Sequence, residues 1–309
     1  MLKFWSIESL KNAGAQAGIW LIHLLALLPL PIAHALGGLL GRILWWTGSE
    51  SARIARINLR ICFPEFTPEQ VDQMARDCLV AYGRTCTEMG MSWCWPIPKV
   101  QELITHVEGL EYLQQGLDQK NGIILIAPHL GNWEILNHFF RQYLYMTVMY
   151  RPVKVPAVDN FIFETRKRVG VGLVPASREG VMALFEILEN NGVVAVLPDQ
   201  KPRPKSGVIA PFFGYPALTG KLIGELAAET DAYLLCCYAK RLENGGYGVV
   251  LTPGDPEIRN REPVASATAL NKSIEECIRD CPEQYQWGYK RFGRQPVPEN
   301  DPYRKAVIP

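Results

Sequence analysis

The sequence lacks a charge excess of either sign. Its 309 residues carry 32 Lys and Arg against 31 Asp and Glu, which gives a formal net charge of +1. This balance gives no support for nucleic acid as a bulk partner, because such binding relies on a strongly positive field. The chain also lacks internal repeats and low-complexity linkers. Its length allows one large α/β domain or two small ones.

Several motifs of metal and cofactor chemistry are also missing. The eight cysteines are scattered and none has Cys-x-x-Cys spacing, so zinc and thioredoxin-type sites are not expected. Scattered thiols are typical of free cysteines in a reducing compartment. The sequence has neither a Gly-x-Ser-x-Gly nucleophile elbow nor a glycine-rich phosphate-binding loop. We therefore predict no metal and no other cofactor.

A long apolar stretch lies near the N-terminus. Residues 13–30 contain no charged residue and are just long enough to span a bilayer, although Pro29 and Pro31 break the pattern. A second apolar piece, residues 32–40, is too short to span. With the tryptophans at 45 and 46, it is typical of a helix lying in a membrane interface. The alternative is a buried helix of a soluble domain.

These patterns predict an N-terminal membrane-anchoring segment over residues 1–48 and a catalytic domain over residues 49–309. The anchor is predicted to be either a transmembrane helix or an interfacial one. Basic residues lie on both sides of the apolar stretch, with the heavier cluster after it: Lys3 and Lys11 before, and Arg42, Arg53, Arg56 and Arg60 after. By the positive-inside rule, this asymmetry places the catalytic domain on the cytoplasmic side.

Residues 121–134, NGIILIAPHLGNWE, combine a buried-strand pattern with polar residues. The apolar run 123–127 is rich in β-branched residues, as in a strand buried on both faces. Gly131 permits a turn, and Asn132 is a good N-cap for a helix beginning at Trp133. His129 would then lie at the carboxyl end of a strand, where open α/β sheets place their sites.

His129 and Glu134 are the first candidates for chemistry. Residues five apart on a helix do not share a face, so these two side chains can meet only across the predicted turn. Glu134 can then accept a hydrogen bond from one ring nitrogen of His129, which leaves the other nitrogen as a base for a hydroxyl. The alternative is a structural role for both residues.

Strand and helix patterns alternate through the rest of the chain. Apolar runs at 145–150 and 193–197 are predicted to be strands, and 157–169 is predicted to be a helix. Residues 106–117 are interpreted as leading into the central strand by a short helix, and 214–220 as a turn. This alternation predicts an α/β fold with a mixed, largely parallel central sheet flanked by helices.

Charged residues follow these predicted strands. Arg151 comes after the first run and Asp199 after the second, while Arg166 lies in the intervening helix. The two arginines can supply fixed positive charge for a phosphate or an oxyanion, and Asp199 can pair with one of them. The basic loop 201–205 is a candidate contact for phosphates or an acidic protein, with a solvated loop as the alternative.

The His-x4-Glu element resembles the motif of the glycerolipid acyltransferase superfamily. The sequence APHLGNWE at residues 127–134 is similar to the corresponding motif of the late acyltransferases of lipid A biosynthesis. Further elements match the same family and extend the resemblance from about residue 10 to about residue 295: Tyr150-Arg151-Pro152, Arg166, Asp199-Gln200, PFFGYPALTG at 211–220 and QWGYKRF at 286–292.

The resemblance implies an O-acyltransferase of the cell inner membrane with a glycerolipid acyltransferase-like fold. It implies that acyl-acyl carrier protein is the donor, with acyl-CoA as the alternative. The acceptor would be the 3-hydroxyacyl chain of a Kdo-bearing lipid A precursor, in contact with membrane lipids. The missing nucleophile elbow agrees with direct transfer and no covalent acyl-enzyme.

The residues and the resemblance together give a set of site predictions. The predicted catalytic residues are His129 as base, Glu134 as its partner, Arg166 for the oxyanion, and Asp199. The predicted substrate-binding residues are Asn132, Arg151, Gln200, Lys290 and Arg291, the last two for lipid phosphates. Three alternatives stay open: transfer to another hydroxylated lipid or glycolipid, a membrane thioesterase, and a non-catalytic membrane-associated binding protein. Acyl-chain length and oligomeric state are not predicted.

Overall fold

A computed structural model describes the backbone of residues 7–304 and the side chains of residues 14–304. The N-terminal part of this region is helical: α1 (Ile7–Ala26), α2 (Leu30–Trp46), α3 (Glu50–Cys62) and α4 (Pro68–Cys94). Pro29 is the N-cap of α2, so the apolar pattern breaks where the prolines predict. The Thr67 hydroxyl and the Gln70 side chain form a capping box that begins α4.

The remaining helices alternate with nine strands. The helices are α5 (Ile97–Gln101), α6 (Leu110–Gln119), α7 (Glu134–Phe140), α8 (Pro156–Val169), α9 (Arg178–Glu189), α10 (Leu222–Glu229) and α11 (Pro263–Asp280). The strands are β1 (Ile104–Glu108), β2 (Ile123–Ile126), β3 (Met146–Tyr150), β4 (Gly172–Pro175), β5 (Val193–Val196), β6 (Gly207–Phe212), β7 (Tyr215–Gly220), β8 (Tyr233–Arg241) and β9 (Tyr247–Pro253).

Seven of these strands form one mixed sheet in the order β1-β9-β8-β2-β5-β3-β4. Every neighbouring pair is parallel except β8 and β9, which are antiparallel. Strands β6 and β7 form a separate antiparallel hairpin. The predicted mixed, largely parallel sheet flanked by helices is confirmed.

The central strand β2 is buried on both faces. Ile124 and Ile126 pack into one hydrophobic cluster with residues of α3, α4, α9, α10 and α11. Ile123 and Leu125 pack into a second cluster with residues of α6 and α7. Alternate residues of a strand point to opposite faces, so the continuous apolar run is explained by a helical layer on each side of the sheet.

Two local predictions are wrong. Residues 104–108 form the edge strand β1, and the helix α6 begins only at Leu110. The sequence ITHVE is largely exposed, so it lacks the apolar run that marks a buried strand. Residues 215–220 form β7 rather than a turn, because each residue pairs with β6 across a two-residue connection at Phe213 and Gly214.

Among the helices of residues 7–304, none is long and apolar enough to cross a membrane. The predicted transmembrane helix is therefore not confirmed. Lys3 and the side chain of Lys11, which entered the prediction of orientation, lie outside the described residues. Helices α1 and α2 and the connection between them nevertheless expose large apolar side chains, among them Trp20, Leu27 and Trp46 at 67%, 78% and 71%. All eight cysteines are free, as predicted.

Candidate active site

The predicted site residues gather at the carboxyl edge of the parallel strands. His129 lies three residues beyond Ile126, the last residue of β2, and Asp199 lies three residues beyond Val196, the last residue of β5. Ile126 and Val196 are partners in the register of this parallel pair. His129 and Asp199 therefore leave neighbouring strands side by side, at the edge where α/β sheets place their sites.

His129 is bound to Asp199 by two hydrogen bonds. The ring Nδ1 lies 2.7 Å from Asp199 Oδ1, and the His129 backbone N–H donates to Oδ2 at 2.9 Å. Burial raises the pKa of Asp199, but the charge and hydrogen bonds of His129 outweigh burial and lower that pKa. An ionised Asp199 can only accept, so Nδ1 carries the proton and Nε2 is the basic nitrogen.

The basic nitrogen of His129 faces the side chain of Gln200. Gln200 Nε2 lies 3.3 Å from His129 Nε2 and donates to Gln286 Oε1 at 3.1 Å. The edge of Trp133 packs against the imidazole, with the ring centroids 4.9 Å apart. The His129 side chain keeps 15% exposure. The arrangement fixes one ring nitrogen with a carboxylate and leaves the other accessible as a general base.

The predicted hydrogen bond between His129 and Glu134 is wrong, and so is the predicted pairing of Asp199 with an arginine. Within the described chain, Glu134 Oε1 accepts from Arg166 Nη2 at 3.0 Å and Oε2 accepts from Asn137 Nδ2 at 2.8 Å. Glu134 begins α7 and is buried, with its carboxylate directed at α8. The carboxylate that holds His129 belongs to Asp199, and Glu134 instead holds Arg166.

The turn after His129 depends on Gly131. Its φ of +62° lies in the left-handed region, and a Cβ there would stand 2.0 Å from the Ala239 carbonyl oxygen. The backbone of this turn is held by two neighbouring segments. Gly131 N–H donates to Gln284 O at 3.1 Å, and Asn132 N–H donates to Ala239 O at 2.9 Å. The predicted turn glycine is confirmed.

Asn132 does not reach the site, which corrects its predicted role in substrate binding. Its side chain is 2% exposed, and Nδ2 donates to Glu88 Oε2 at 2.9 Å and to Ser92 Oγ at 3.2 Å. Its Oδ1 accepts from Glu134 N–H at 3.1 Å. Asn132 therefore helps to begin α7 at Glu134, one residue later than predicted.

A groove of about 810 Å³ opens beside His129. Its lining includes Arg151, Arg166 and Gln200, so three more predicted residues lie with the catalytic candidate. The lining includes the apolar side chains of Val148, Met149, Ile162, Val181, Leu197 and Leu222. It also includes the basic side chains of Arg178, Lys201, Arg203, Lys205 and Lys221. The groove can therefore accept a molecule with an apolar chain and a negatively charged portion.

Lys290 and Arg291 lie outside the lining of this groove. Arg291 is 3% exposed, and its guanidinium donates to Leu218 O at 2.6 Å and to Thr219 Oγ1 at 2.8 Å. Its predicted contact with lipid phosphates is wrong, because those donors already serve the protein interior. Lys290 Nζ lies 2.9 Å from Glu50 Oε1.

Sequence reasoning missed Glu88 and Arg241. Arg241 Nε and Nη2 donate to the two oxygens of Glu88 at 2.6 and 2.7 Å. Glu88 stands among small and apolar residues in GRTCTEMGMSW, and such an isolated acid within a helix is a signal of burial. The pairing of His129 with Asp199 also had a signal. Ile-Ala-Pro-His at 126–129 and Val-Leu-Pro-Asp at 196–199 share one pattern after two buried strands.

No group of three or more His, Cys, Asp or Glu side chains that would hold a metal ion occurs in the described part of the chain. The chemistry assembled at the groove is instead that of a general base beside fixed cations. A base of this kind activates a hydroxyl, and a neighbouring arginine can stabilise negative charge that develops on an oxygen.

Comparison with known proteins identifies the family. Residues 2–294 match the family model described as bacterial lipid A biosynthesis acyltransferase. The lipid A biosynthesis lauroyltransferase of Escherichia coli (strain K12) is 29% identical over 90% of this chain and 91% of its own length. The palmitoleoyltransferase and myristoyltransferase of lipid A biosynthesis from the same strain are 28% and 23% identical. They cover 93% and 96% of this chain, and 93% and 91% of their own lengths. The chain therefore belongs to the bacterial lipid A biosynthesis acyltransferase family and is an O-acyltransferase.

Proposed function

We propose that this enzyme transfers a fatty acyl chain from acyl-acyl carrier protein to a hydroxyl group of a Kdo-linked lipid A precursor at a membrane surface. One observation carries the proposal: His129, held by Asp199, presents a basic nitrogen to a groove lined by both apolar and basic side chains. An acyl chain suits the apolar side chains of the lining, and phosphates or acidic side chains suit its basic residues.

The proposed reaction is direct acyl transfer. His129 Nε2 removes the proton from the acceptor hydroxyl, and the oxygen attacks the thioester carbonyl carbon to form a tetrahedral intermediate. Asp199 holds the ring and stabilises the imidazolium. The intermediate collapses with cleavage of the carbon–sulfur bond, and the proton passes from His129 to the departing thiolate. The products are an ester and a free thiol, with no acyl-enzyme.

Arg166 is proposed to stabilise the oxyanion of the tetrahedral intermediate. It lines the same groove as His129, and its ion pair with the buried Glu134 fixes the direction of the guanidinium. A cation already held in place by the protein needs no reorganisation when negative charge develops. Glu134 is thus proposed to contribute to catalysis through Arg166. Arg151, which is exposed at the groove, is proposed to contact a phosphate of a substrate.

The donor is proposed to dock on the basic residues that line the groove. Carrier proteins present acidic surfaces and a phosphate-bearing arm, and both are attracted to the cluster of Arg178, Lys201, Arg203, Lys205 and Lys221. An acyl-CoA donor would use the same cations through its phosphates. Raising the salt concentration would weaken the binding of both donors, so the donor is identified by comparing acyl-acyl carrier protein and acyl-CoA directly in the same assay.

Membrane association is proposed to occur through the exposed apolar surface of α1 and α2. These helices and the connection between them present large apolar side chains to solvent: Trp20, Leu21, Leu24, Leu27, Ile32, Leu36, Leu39, Leu40, Ile43 and Trp46. Such a surface is typical of helices that lie in the bilayer interface. Because the family acts in lipid A biosynthesis, the inner membrane with the site on its cytoplasmic side is the proposed location.

The test is mass spectrometry of the products of purified, detergent-solubilised enzyme. The enzyme is incubated with a tetra-acylated Kdo-lipid A precursor and a panel of acyl-acyl carrier proteins, with acyl-CoA in parallel. A mass gain of one acyl chain is expected with the wild type and not with folded His129→Ala. Free fatty acid without acylated lipid would indicate hydrolysis or a different acceptor, and undiminished transfer by the variant would refute the proposed base.

A further inference from the structure

Glu88 is a charged side chain within the protein interior. It lies in α4 and is 0% exposed. Burial raises the pKa of Glu88, but the charge of Arg241 and the hydrogen bonds from His34 and Arg241 outweigh burial and lower the pKa to about 2. Glu88 is therefore a buried carboxylate anion. Such a group is retained only where several donors satisfy it.

Side chains from three other parts of the fold bond to the two oxygens of Glu88. Arg241, at the end of β8, donates to both oxygens. His34 of α2 bonds to Oε1 at 2.7 Å. Asn132 of the turn after His129 donates to Oε2 at 2.9 Å. Arg241 also reaches Thr85 Oγ1 at 2.5 Å, so the cation itself is held by α4.

Asn132 connects this buried anion to the active site. It stands three residues after His129 and two before Glu134. Its Nδ2 is anchored on Glu88, while its Oδ1 accepts from the Glu134 backbone N–H. The position of Asn132 thus sets where the chain leaves His129 and where α7 begins. The start of α7 in turn sets the position of the carboxylate that holds Arg166.

We propose that Glu88 is a positioning residue that fixes the His129 and Arg166 side chains through Asn132. The inference rests on the proposed acyl transfer, because it assigns Glu88 to the geometry of that reaction. Glu88 does not line the groove, so it acts only through other residues. A displacement of about 1 Å between reacting groups can cost about 100-fold in rate.

The first variant is Glu88→Gln, which keeps the shape of the side chain and removes its charge. The new amide directs its NH2 group at donors on Arg241 or Asn132, so one anchor of Asn132 or of Arg241 is lost. We expect kcat to fall by about 10- to 100-fold. We expect KM to change less than about twofold, because no residue that lines the groove is replaced. The matched control is Glu275→Gln.

Glu275 is a suitable control because it is a partly buried carboxylate away from the groove. Its Oε1 accepts from the Phe213 backbone N–H at 2.7 Å, and it does not line the groove. Glu275→Gln makes the same chemical change, and the remaining amide oxygen can still accept from the Phe213 N–H. If both variants lower kcat equally, the effect is general destabilisation and the positioning role is refuted.

A second measurement follows His129 directly. In protein labelled with 15N-histidine, the Nδ1–H proton bonded to Asp199 is assigned by its loss in His129→Gln. Glu88→Gln is expected to shift or broaden this resonance, and Glu275→Gln is expected to leave it unchanged. An unchanged resonance in Glu88→Gln would refute the proposal. This readout requires no turnover, so it decides the role of Glu88 even if the proposed acyl transfer fails.

A third variant separates positioning from stability. Replacing a buried ion pair by apolar residues of similar volume often preserves stability, so Glu88→Leu combined with Arg241→Met is expected to fold. This double variant has no acceptor for Asn132 Nδ2 at residue 88. We therefore expect its kcat to stay at least tenfold below that of the wild type, although its thermal stability returns to the wild-type level. Recovery of kcat together with stability would show that Glu88 only supports the fold.

Discussion

Replacement of Asp199 by Asn tests the assignment of the catalytic partner most directly. The structure gives Asp199 two contacts with His129, through Nδ1 at 2.7 Å and the backbone N–H at 2.9 Å. Asn keeps the shape but has one oxygen and one NH2 group. If the NH2 faces Nδ1, the imidazole must take its other tautomer, and Nε2 then carries a proton and is no longer a base.

The size of the effect follows from the lost charge. A carboxylate and an imidazolium about 4 Å apart attract by about 4 kcal/mol at an effective dielectric constant of about 20. Asp199 is 2% exposed, so water screens this attraction poorly. Loss of 4 kcal/mol from the transition state corresponds to roughly a thousandfold in rate. We therefore expect Asp199→Asn to lower kcat/KM by about 10³.

The assay is the initial rate of acylated lipid formation, followed by mass spectrometry from pH 5 to 9. The acid limb of kcat/KM should move to lower pH in Asp199→Asn, because the imidazolium loses its stabilising anion. Glu134→Gln is the matched control, and its acid limb should stay in place. Circular dichroism and thermal unfolding establish that each variant is folded.

The opposite pattern would refute this assignment. If folded Asp199→Asn loses less than tenfold in kcat/KM, Asp199 is not the group that holds the base. If Glu134→Gln moves the acid limb and Asp199→Asn does not, the carboxylate partner of His129 during the reaction is Glu134.

Three further outcomes are expected. Arg166→Ala should lower kcat by about 10²- to 10³-fold. Adding Glu134→Gln to this variant should lower kcat little further, because both substitutions remove the same ion pair. Additive losses in kcat would contradict this expectation. The pKa of Glu88 is lowered from 4.5 to about 2, so ionised Glu88 should contribute about 3 kcal/mol to the free energy of unfolding above pH 4.5. Urea unfolding should show that this contribution is lost as the pH falls towards 2. In Glu88→Gln the free energy of unfolding should change much less over the same pH range. Gly131→Ala should lower the free energy of unfolding in urea by about 3 kcal/mol. The new Cβ would clash with the Ala239 carbonyl oxygen, and residue 131 has a positive φ that alanine disfavours. Unchanged stability would contradict the described turn.

The sheet was largely predictable because its central strands are apolar on both faces. The runs at β2 and β5 have no other simple interpretation, and both were placed within one or two residues. The edge strand β1 was missed because its side chains are mostly exposed. The strand β7 was missed because its glycine and proline residues favour a turn until the pairing with β6 is known.

The sequence predicted which residues gather at the site better than it predicted which of them form hydrogen bonds or ion pairs with each other. His129, Arg151, Arg166 and Gln200 meet at one groove, as their positions after strands or in the intervening helix suggested. The partner of His129 was mispredicted because Glu134 is close in sequence, whereas Asp199 is close only through the register of β2 and β5. Arg291 was mispredicted because a sequence pattern does not distinguish a buried cation from an exposed one.

The backbone contacts of His129 and Leu130 with the C-terminal part of the chain have a consequence for the order of events during synthesis. The His129 carbonyl accepts from the Gln286 backbone N–H, and Leu130 bridges to Tyr285. The last of these contacts is separated from His129 by about 157 residues, which a ribosome adds in roughly 10–30 s. The apolar surface of α1 and α2 is translated well before that point. The nascent chain therefore carries the apolar surface of α1 and α2 before the segment that supports His129 has been made, so every surface that can bind a lipid is translated ahead of the complete active site.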